Sequence, residues 1–558
     1  NLEAGNPYPM SEPETRNVYE FQRTHPNIFA SFHYHNTGRL IMFQAPPAVQ
    51  AGAQARPGGG GGFRGPQLTF EQRLAQLREA LPDDLGYFAA EEAPDPAELT
   101  RSFHLNLAAM GLLTFVVVAA AVWWVWQLLS GVFPHEQQAV LFLFLLAVGL
   151  WITEAVPAFA VGLLIMGYLV FALGTTLIHP EPWDVRPYLN TWSSPVVWLM
   201  LGGFFMAEGL SRTGLDRYLF AAAIKPAGTR PAAVLLAVML TSGVASMFIS
   251  NTSTTVLMIG AVLPLVRQLG RREPFSRALM VAIPLAASVG GMGTIIGSPP
   301  NAIAAGVAAE YGRQIDFVQW MAAGAPAAIG LIFIAWRILL RLHPASTREV
   351  QLDLDSMDEP ELPGLRERVI VAAVSLLTVG MWLTTPLHGI HVVAISLIPI
   401  VGLTMTQVLG ASDVRGLPWD TLMLVAGGLS LGAAVVDTGL AERLALQLSF
   451  LTGVGSDVLV FAVLALLTVT LSNFMSNTAT VSLILPVAVA LLPGRELEMC
   501  LILGLCGSCA LLLPVSTPPN AVAYSTGEIQ TRDLRPGGLL IGLLGPAVVI
   551  FWVLLVSS

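Results

Sequence analysis

The sequence predicts an all-α polytopic membrane protein, with about eleven transmembrane helices and two re-entrant helical hairpins arranged as an inverted repeat. Of the 558 residues, 54% are hydrophobic and only 12% are charged, which is far from the composition of soluble domains. From about residue 105 onward, apolar runs near 20 residues follow one another, and this helix length crosses a hydrocarbon layer of about 30 Å. The runs do not alternate with polar residues, which favours helices over a membrane β-barrel.

The first 104 residues have a different composition from the rest of the chain. A Pro/Gly/Ala tract covers 45–67. In 68–81, apolar residues recur at helical spacing, namely Phe70, Leu74, Leu77 and Leu81. We predict a disordered linker followed by a short amphipathic helix, both in a solvated cytoplasmic tail.

Apolar runs with their Gly, Pro and charged interruptions predict an extra first span at 105–131, within a segment that ends at 136. The other ten spans are 137–155, 157–175, 193–211, 277–309, 317–341, 367–385, 388–407, 418–437, 496–526 and 536–556. Two further stretches, 231–266 and 456–494, are too long for one span, and Ser-Asn-Thr interrupts each of them. Each is either two crossings or a hairpin that enters and leaves by one face. A polar break at mid-depth must be buried in protein or face a water-filled cavity, which favours hairpins.

The basic residues give the expected orientation. With two hairpins and a cytoplasmic N-terminus, sixteen Arg and Lys residues beyond the tail fall in cytoplasmic loops. Only four fall on the opposite side, namely Arg186, Arg313, Arg443 and Arg495. This distribution satisfies the positive-inside tendency. We expect a multi-pass protein of the inner (plasma) membrane.

Three motifs occur twice in the same order. The pairs are LSRTGLDRYL (210–219) with VDTGLAERLA (436–445), SMFISNTSTT (246–255) with SNFMSNTAT (472–480), and GTIIGSPPNAIAAG (293–306) with LLPVSTPPNAVAYS (512–525). We assign the first repeat to 137–342 and the second to 367–556, joined by a cytoplasmic linker at 343–366. Five spans separate equivalent positions, and because five is odd the repeats have opposite orientations. Inverted repeats with broken helices at corresponding places mark the substrate site of secondary transporters.

The repeated residues indicate the chemistry of that site. Ser, Asn and Thr cap helix N-termini, so each Ser-Asn-Thr presents free backbone N–H groups and the positive end of a helix dipole, which favour an anion. Each Pro-Pro pair removes backbone donors and frees carbonyl oxygens about one turn earlier, and such oxygens suit small cations. A single Ser-Asn-Thr more often bridges helices. Its repetition with Pro-Pro-Asn favours a site.

The predicted site contains no formal charge. Lys, Arg, Asp, Glu and His are absent from four segments, 231–266, 278–309, 458–494 and 499–527. An anion moved into this low dielectric without compensation would face a penalty of several kcal/mol or more. We therefore expect Na+ ions to enter with the anion and to couple its binding to sodium.

Other functional classes fit the sequence less well. A membrane-embedded enzyme would need an acid, base, nucleophile or metal at depth, which the charge-free segments do not supply, so we predict no catalytic residues. The only lysine is Lys225, so no nucleotide-binding Gly-x-x-x-x-Gly-Lys loop exists for a primary pump. Repeated closed hairpin tips fit alternating access better than an open channel. We expect no nucleic-acid partner.

The motifs resemble those of the divalent anion/sodium symporter family, which takes up dicarboxylates, citrate or sulfate. The resemblance covers about 137–556 and depends on the two Ser-Asn-Thr sequences, on GSPPN (297–301) and STPPN (516–520), and on WITEAVP (151–157). It implies a homodimer with scaffold and transport domains that move in an elevator-type mechanism. It also implies that the Thr-Gly-Leu arms, 211–226 and 438–452, are surface helices that link the two domains.

The resemblance further implies site residues. The first sodium site would comprise Ser246, Ser250, Asn251 and the backbone around Gly297, and the second Ser472, the carbonyl of Met475, Asn477 and Ser516. The substrate carboxylates would contact Ser250, Asn251, Thr252, Ser476, Asn477 and Thr478, with Ser298, Thr517 and Pro518 at the sides. Many relatives have Thr-Glu-Phe where this chain has Ser472-Asn473-Phe474, which leaves the cation stoichiometry open.

The leading functional prediction is sodium-coupled import of small di- or tricarboxylates, such as succinate, malate, fumarate or citrate. Two alternatives stay open, namely sodium-independent dicarboxylate exchange and sulfate/sodium symport.

Overall fold

The computed structural model describes residues 33–34, 40–41, 111, 113–127, 133–175, 182–270, 272–350, 364–450 and 456–557. In the tail, β1 (His33–Tyr34) and β2 (Leu40–Ile41) pair in antiparallel register, an element that the sequence did not predict. The predicted linker at 45–67 and the predicted amphipathic helix at 68–81 lie outside the described residues. From 111 onward the described chain is helical.

The helices up to the central linker are α1 (Leu113–Gln127), α2 (His135–Thr153), α3 (Ala158–Gly174), α4 (Arg186–Leu189), α5 (Pro195–Thr213), α6 (Leu215–Ile224), α7 (Pro231–Ala245), α8 (Asn251–Leu269), α9 (Pro274–Gly290), α10 (Pro299–Glu310) and α11 (Phe317–Leu342). Beyond the linker they are α12 (Leu365–Leu383), α13 (Thr385–His388), α14 (Val392–Met405), α15 (Ala411–Arg415), α16 (Trp419–Asp437), α17 (Leu440–Gln447), α18 (Asp457–Ser472), α19 (Asn477–Leu491), α20 (Glu496–Cys506), α21 (Pro518–Ser525) and α22 (Thr531–Ser557). Single 3-10 turns occupy Asn190–Ser193, Lys225–Ala227, Gly291–Gly293 and Gly507–Cys509.

The breaks in the helices recur at corresponding places in the two repeats. The first long apolar stretch forms α7 and α8, separated by the first tip, residues 246–250. The second forms α18 and α19, separated by the second tip, residues 473–476. The helices that follow are also interrupted, by the first break (291–298) between α9 and α10 and the second break (507–517) between α20 and α21. The element order α5 to α11 is therefore repeated by α16 to α22, whereas the inverted orientation stays a prediction.

Both Thr-Gly-Leu segments form a short helix after a glycine in the left-handed conformation. Gly214 has φ 66° between α5 and α6, and Gly439 has φ 68° between α16 and α17. A side chain is disfavoured in this conformation, so glycine permits the sharp change of direction at both junctions.

The broken helices of the two repeats pack together. Helix α8 packs on α9 of its own repeat and on α21 of the other, while α19 packs on α20 and on α10. Helix α9 lies at the centre of this body, against α7, α8, α11 and α21, and every side chain from Ala278 to Gly290 is buried. A second group consists of α2, α3, α5, α12, α14 and α16, among which α16 packs on α3 and α5 packs on α14. Helices α16 and α5 also contact the first body through α19 and α10.

The described residues include seven helical segments that are long and apolar enough to cross a membrane. They are His135–Thr153, Arg186–Thr213, Asn251–Leu269, Pro274–Gly293, Phe317–Leu342, Trp419–Asp437 and Thr531–Ser557. Of the shorter apolar helices, α1 precedes these segments, and α3, α7, α14, α18 and α19 lie between them in the sequence. The all-helical membrane architecture is confirmed, and the number of eleven crossings stays a prediction.

The contact between α3 and α16 depends on glycine. A β-carbon at Gly162 on α3 would lie 2.8 Å from the carbonyl oxygen of Met423 and 3.2 Å from the Cα of Leu424. A β-carbon at Gly167 on the same helix would have no atom of another residue within 4 Å. The two glycines are thus a matched pair, one in a close helix contact and one facing open space.

We expect Gly162→Ala to destabilise the protein, since overpacking against backbone costs about 1–3 kcal/mol. Gly167→Ala should be neutral or slightly stabilising, because alanine has the better helix propensity. Thermal unfolding of both purified variants in detergent measures the difference. Equal unfolding temperatures for the two variants would contradict the packing described for α3 and α16.

Candidate functional site

The first tip ends at Ser250, which is the N-cap of α8. Its Oγ accepts a hydrogen bond from the backbone N of Ser253 at 3.1 Å and lies 2.9 Å from the Ser253 hydroxyl. Asn251 and Thr252 are the first two residues of the helix, where backbone N–H groups have no intrahelical acceptor. The Ser250 hydroxyl therefore accepts from the N–H of Ser253, while the N–H groups of Asn251 and Thr252 remain free to bind a ligand. Both of these side chains are partly exposed.

Oxygen atoms converge beside the first tip, where two glycines lack side chains. A β-carbon at Gly291 would lie 2.5 Å from Asn251 Oδ1 and 2.8 Å from the carbonyl oxygen of Gly297. One at Gly297 would collide with the carbonyl of Gly291 and lie 3.0 Å from that of Ser246. The Ser246 hydroxyl donates a hydrogen bond to Asn251 Oδ1. We call Asn251 Oδ1 and the carbonyl oxygens of Ser246, Gly291 and Gly297 the first oxygen cluster.

Side chains hold the first break in place. Asn301, the last residue of Pro-Pro-Asn, donates from Nδ2 to the carbonyls of Gly291 at 2.9 Å and Thr294 at 2.7 Å. Thr294 Oγ1 donates to the carbonyl of Met247 in the tip and accepts from the N–H of Gly297 at 3.0 Å. The carbonyls freed before the prolines are therefore partly bound by Asn301. The prolines occupy the first turn of α10, where their missing N–H costs nothing.

The second tip has the same cap but different pairing. Ser476 is the N-cap of α19, and its Oγ accepts from the N–H of Ala479 at 3.1 Å. Asn477 and Thr478 begin the helix, as Asn251 and Thr252 do in the first repeat. Ser472 Oγ and Asn477 Oδ1 are buried and have no hydrogen-bond partner. Buried polar atoms without partners are costly in proteins, so these two oxygens are available to a cation.

The second break is also held by side chains. Asn520 Nδ2 donates to the carbonyls of Leu511 at 3.1 Å and Leu513 at 3.0 Å, as Asn301 does in the first repeat. Ser516 Oγ lies 2.9 Å from Asn473 Oδ1 and accepts from the N–H of Leu513 at 3.0 Å. The second tip and the second break are thus joined through Asn473 and Ser516.

The remaining predicted residues lie around these two groups. Ser298 is buried, and its Oγ lies 3.5 Å from Ser508 Oγ, which connects the two breaks. Thr517 is buried and caps α21 by accepting from the N–H of Asn520 at 3.3 Å, whereas Pro518 is exposed. The Met475 side chain is buried in a cluster with residues of α2, α3 and α16.

The structure thus brings Ser246, Asn251 and Gly297 together. Separately, it brings Ser516 to the second tip, which Ser472 and Asn477 flank. The link between these two groups is made by packing of α8 on α21 and of α10 on α19, and by the Ser298–Ser508 contact.

Neutral oxygens dominate both groups. Among the described residues, no three His, Cys, Asp or Glu side chains lie together as a metal-binding set. Hydroxyl, amide and carbonyl oxygens are hard ligands, which suit Na+ and similar cations better than zinc or copper. A cation at either tip would place positive charge next to the capped N-terminus of α8 or α19, where an anion is favoured.

Sequence reasoning assigned no role to four of the residues that build this site, and it noted Asn473 only as a departure from the Thr-Glu-Phe of many relatives. Asn301 and Asn520 stood inside the repeated Pro-Pro-Asn, so their repetition could have indicated a structural role for the amide. Gly291 and Asn473 have no repeated counterpart of the same type. Only the contact between the tip and the break reveals what they do.

The chain matches the citrate transporter family model over residues 148–498 and 379–557. The sodium-dependent dicarboxylate transporter SdcS of Staphylococcus saprophyticus is 30% identical over 435 residues, which cover 72% of this chain and 82% of that protein. SdcS of Staphylococcus aureus strain bovine RF122 is 29% identical over 456 residues, which cover 75% and 85%. Among solved structures, the Alcanivorax borkumensis YdaH transporter is 17% identical with a TM-score of 0.47, covering 72% of this chain and 96% of that one.

We expect Gly291→Ala to remove the stabilisation that a cation gives through the first oxygen cluster, because the new methyl group would lie against Asn251 Oδ1. The measurement is the rise in unfolding temperature on replacing choline chloride with sodium chloride. The matched control is Gly260→Ala on α8, where an added β-carbon would have no atom of another residue within 4 Å. A Gly291→Ala protein that sodium stabilises as much as it stabilises the Gly260→Ala protein would contradict the assignment.

Proposed function

Because the chain belongs to the divalent anion/sodium symporters, matching their citrate transporter family model, we propose that it imports small di- or tricarboxylates together with sodium ions. The observation that carries the proposal is the pair of Ser-capped helix N-termini, each beside neutral oxygens, in segments without formal charge. Two relatives named as sodium-dependent dicarboxylate transporters support it. The proposal assigns no catalytic residue.

The substrate would be held through dipoles. Its carboxylates would meet the N–H groups at the starts of α8 and α19, and the side chains of Ser250, Asn251 and Thr252 in one repeat and Ser476, Asn477 and Thr478 in the other. Helix N-termini favour anions by about 0.3–2 kcal/mol each, depending on burial. Ser298, Thr517 and Pro518 would border the substrate.

Sodium would occupy two oxygen sites. The first comprises Ser246, Ser250, Asn251 and Gly297, and the oxygen cluster adds the carbonyl of Gly291 to this set. The second comprises Ser472, the carbonyl of Met475, Asn477 and Ser516, and it is supported by the two unpaired oxygens of Ser472 and Asn477.

Coupling would follow from electrostatics. Two helix dipoles offset only part of the desolvation of a doubly negative anion, which is several kcal/mol per charge in a low dielectric. Cations bound at both tips would supply the remaining positive charge. Substrate binding without sodium would therefore be weak, and transport would require both.

We propose an elevator-type division of the two repeats, 137–342 and 367–556. The transport domain would comprise the broken-helix body around α9, and the scaffold would comprise α2, α3, α5, α12, α14 and α16. The arms α6 and α17 would link the domains, turning at Gly214 and Gly439. The remaining parts are the cytoplasmic tail (1–104), the extra helix (105–136) and the linker (343–366). We further propose a homodimer in the inner membrane with a cytoplasmic N-terminus.

We expect succinate uptake into proteoliposomes to depend on sodium, since the site lacks any other compensating charge. The experiment compares uptake with a sodium gradient against uptake with choline in its place, using succinate, citrate and sulfate in parallel. Undiminished succinate uptake in choline would favour sodium-independent exchange. Sodium-dependent uptake of sulfate alone would favour the sulfate symporter.

We expect Asn251→Ala and Asn477→Ala each to lower uptake by about 5- to 150-fold, because each removes an oxygen ligand and an anion contact, together worth about 1–3 kcal/mol. Asn190→Ala is the matched control, since Asn190 is an exposed asparagine outside the broken-helix body. Membrane insertion and unfolding temperature are measured alongside uptake. Wild-type uptake in either Asn251→Ala or Asn477→Ala would contradict the site.

A further inference from the structure

We propose that Asn473 is a positioning residue for the second cation site. Its amide ties the second tip to the second break and thereby sets where the ligands of that site lie. The inference rests on the proposed function, because it assumes that sodium binds at the second tip. It assigns a role to a residue that is not itself a ligand.

Asn473 makes three hydrogen bonds with its side chain. Nδ2 donates to the carbonyl of Val469 in α18 at 2.8 Å. Oδ1 accepts from the N–H of Leu512 at 2.9 Å and from the hydroxyl of Ser516, also at 2.9 Å. The first bond fixes the side chain to its own helix, and the other two fix the break to the side chain. Asn473 is buried, with 7% of its surface exposed, so water does not compete for these bonds.

This bonding excludes the side chain of Asn473 as a cation ligand. An amide oxygen has two lone pairs, and both are used by Leu512 and Ser516. The amide nitrogen has no lone pair to offer a cation. The neighbouring Ser472 Oγ and Asn477 Oδ1, in contrast, are buried and unpaired. Asn473 therefore lies between Ser472 and Asn477 in the sequence. It also holds the second break, which carries the remaining proposed ligand.

The remaining proposed ligand is Ser516. Its hydroxyl also takes part in the hydrogen bonding between the second tip and the second break, which we call the tie. That hydroxyl lies within hydrogen-bond distance of Asn473 Oδ1 and accepts from the N–H of Leu513. Ser516 occupies the position that Gly297 has in the first repeat, where the backbone carbonyl belongs to the first oxygen cluster. We therefore assign the carbonyl of Ser516 to the cation and the hydroxyl to the tie.

The first repeat also has a polar tie between tip and break, but there the polar side chain belongs to the break and not to the tip. Met247 stands where Asn473 stands in the second repeat and offers only its backbone carbonyl. The polar side chain is Thr294 in the break, which donates to Met247 and accepts from Gly297. Its counterpart in the second break is Leu513, which has no polar side chain. Each repeat thus has a polar tie between tip and break, and in the second repeat it depends on Asn473.

The test uses three variants of the full chain. Asn473→Met removes all three side-chain hydrogen bonds and inserts the residue found in the first repeat. Asn473→Asp keeps an oxygen acceptor for Leu512 and Ser516, loses the donor to Val469 and adds a negative charge beside the cation site. Ser516→Ala keeps the carbonyl ligand but removes the hydroxyl of the tie, so it tests the same contact if Asn473→Met does not fold. Asn190→Met makes the same chemical change at an exposed site and serves as the control.

Two quantities are measured, with sodium chloride replaced stepwise by choline chloride. They are the sodium concentration that gives half-maximal succinate uptake and the sodium concentration that gives half of the thermal stabilisation. We expect Asn473→Met and Ser516→Ala to raise both by about tenfold, as expected for the loss of one or two buried hydrogen bonds. We expect Asn473→Asp to raise neither concentration, because it keeps both acceptor bonds and its negative charge favours a nearby cation.

Three results would overturn the proposal. One is a lower unfolding temperature for Asn473→Met with an unchanged half-saturating sodium concentration, since that describes a purely structural residue. A second is a half-saturating sodium concentration that Asn473→Asp raises as much as Asn473→Met does, because the tie would then not act through an oxygen acceptor at this position. The third is a wild-type protein without any sodium response, which removes the proposed function as well. A wild type that responds to sodium separates failure of this inference from failure of that function.

Discussion

Helices that end inside an apolar body leave backbone N–H and C=O groups that must find partners, and the candidate site depends on this constraint. Water is scarce there, and an unsatisfied backbone group in hydrocarbon costs several kcal/mol. The four broken helices bring eight such ends into one body. Part of the unmet hydrogen-bonding capacity is satisfied by serine caps and by the amides of Asn301 and Asn520. The part that is left over would form the proposed site for ions of both signs.

Hydrogen-bond donors and acceptors are divided according to where these helices begin and end. The starts of α8 and α19 supply N–H groups, which attract negative charge, while the breaks after α9 and α20 supply carbonyls, which attract positive charge. Because each tip is bonded to a break, the two kinds of group lie next to each other. Anion and cation would therefore be bound as neighbours, and each would reduce the desolvation cost of the other.

Sequence reasoning predicted much of this arrangement because the informative signals were local or repeated. The positions of the tips, the caps at Ser250 and Ser476, and the interruptions before Pro299 and Pro518 follow from short motifs whose chemistry is independent of the rest of the chain. The ties could not be predicted in this way. Asn473 meets residues about forty positions later, and Thr294 meets Met247 across a similar distance, so only the packed structure shows either contact. The polar side chain of the tie lies in the break in the first repeat and in the tip in the second. Comparing the repeated motifs therefore does not reveal that the two ties correspond. The pair of short strands in the tail likewise lacked a strong signal.

The burial of α9 has a consequence for any motion of this protein. Every side chain from Ala278 to Gly290 is enclosed by α7, α8, α11 and α21, and such a close-packed interior has no room for sliding between neighbours. The helices that flank the first tip, α7 and α8, cannot shift along α9 without opening voids around it. The first tip and the first break would therefore move as one rigid unit in any conformational change, and the geometry of the first oxygen cluster would be preserved.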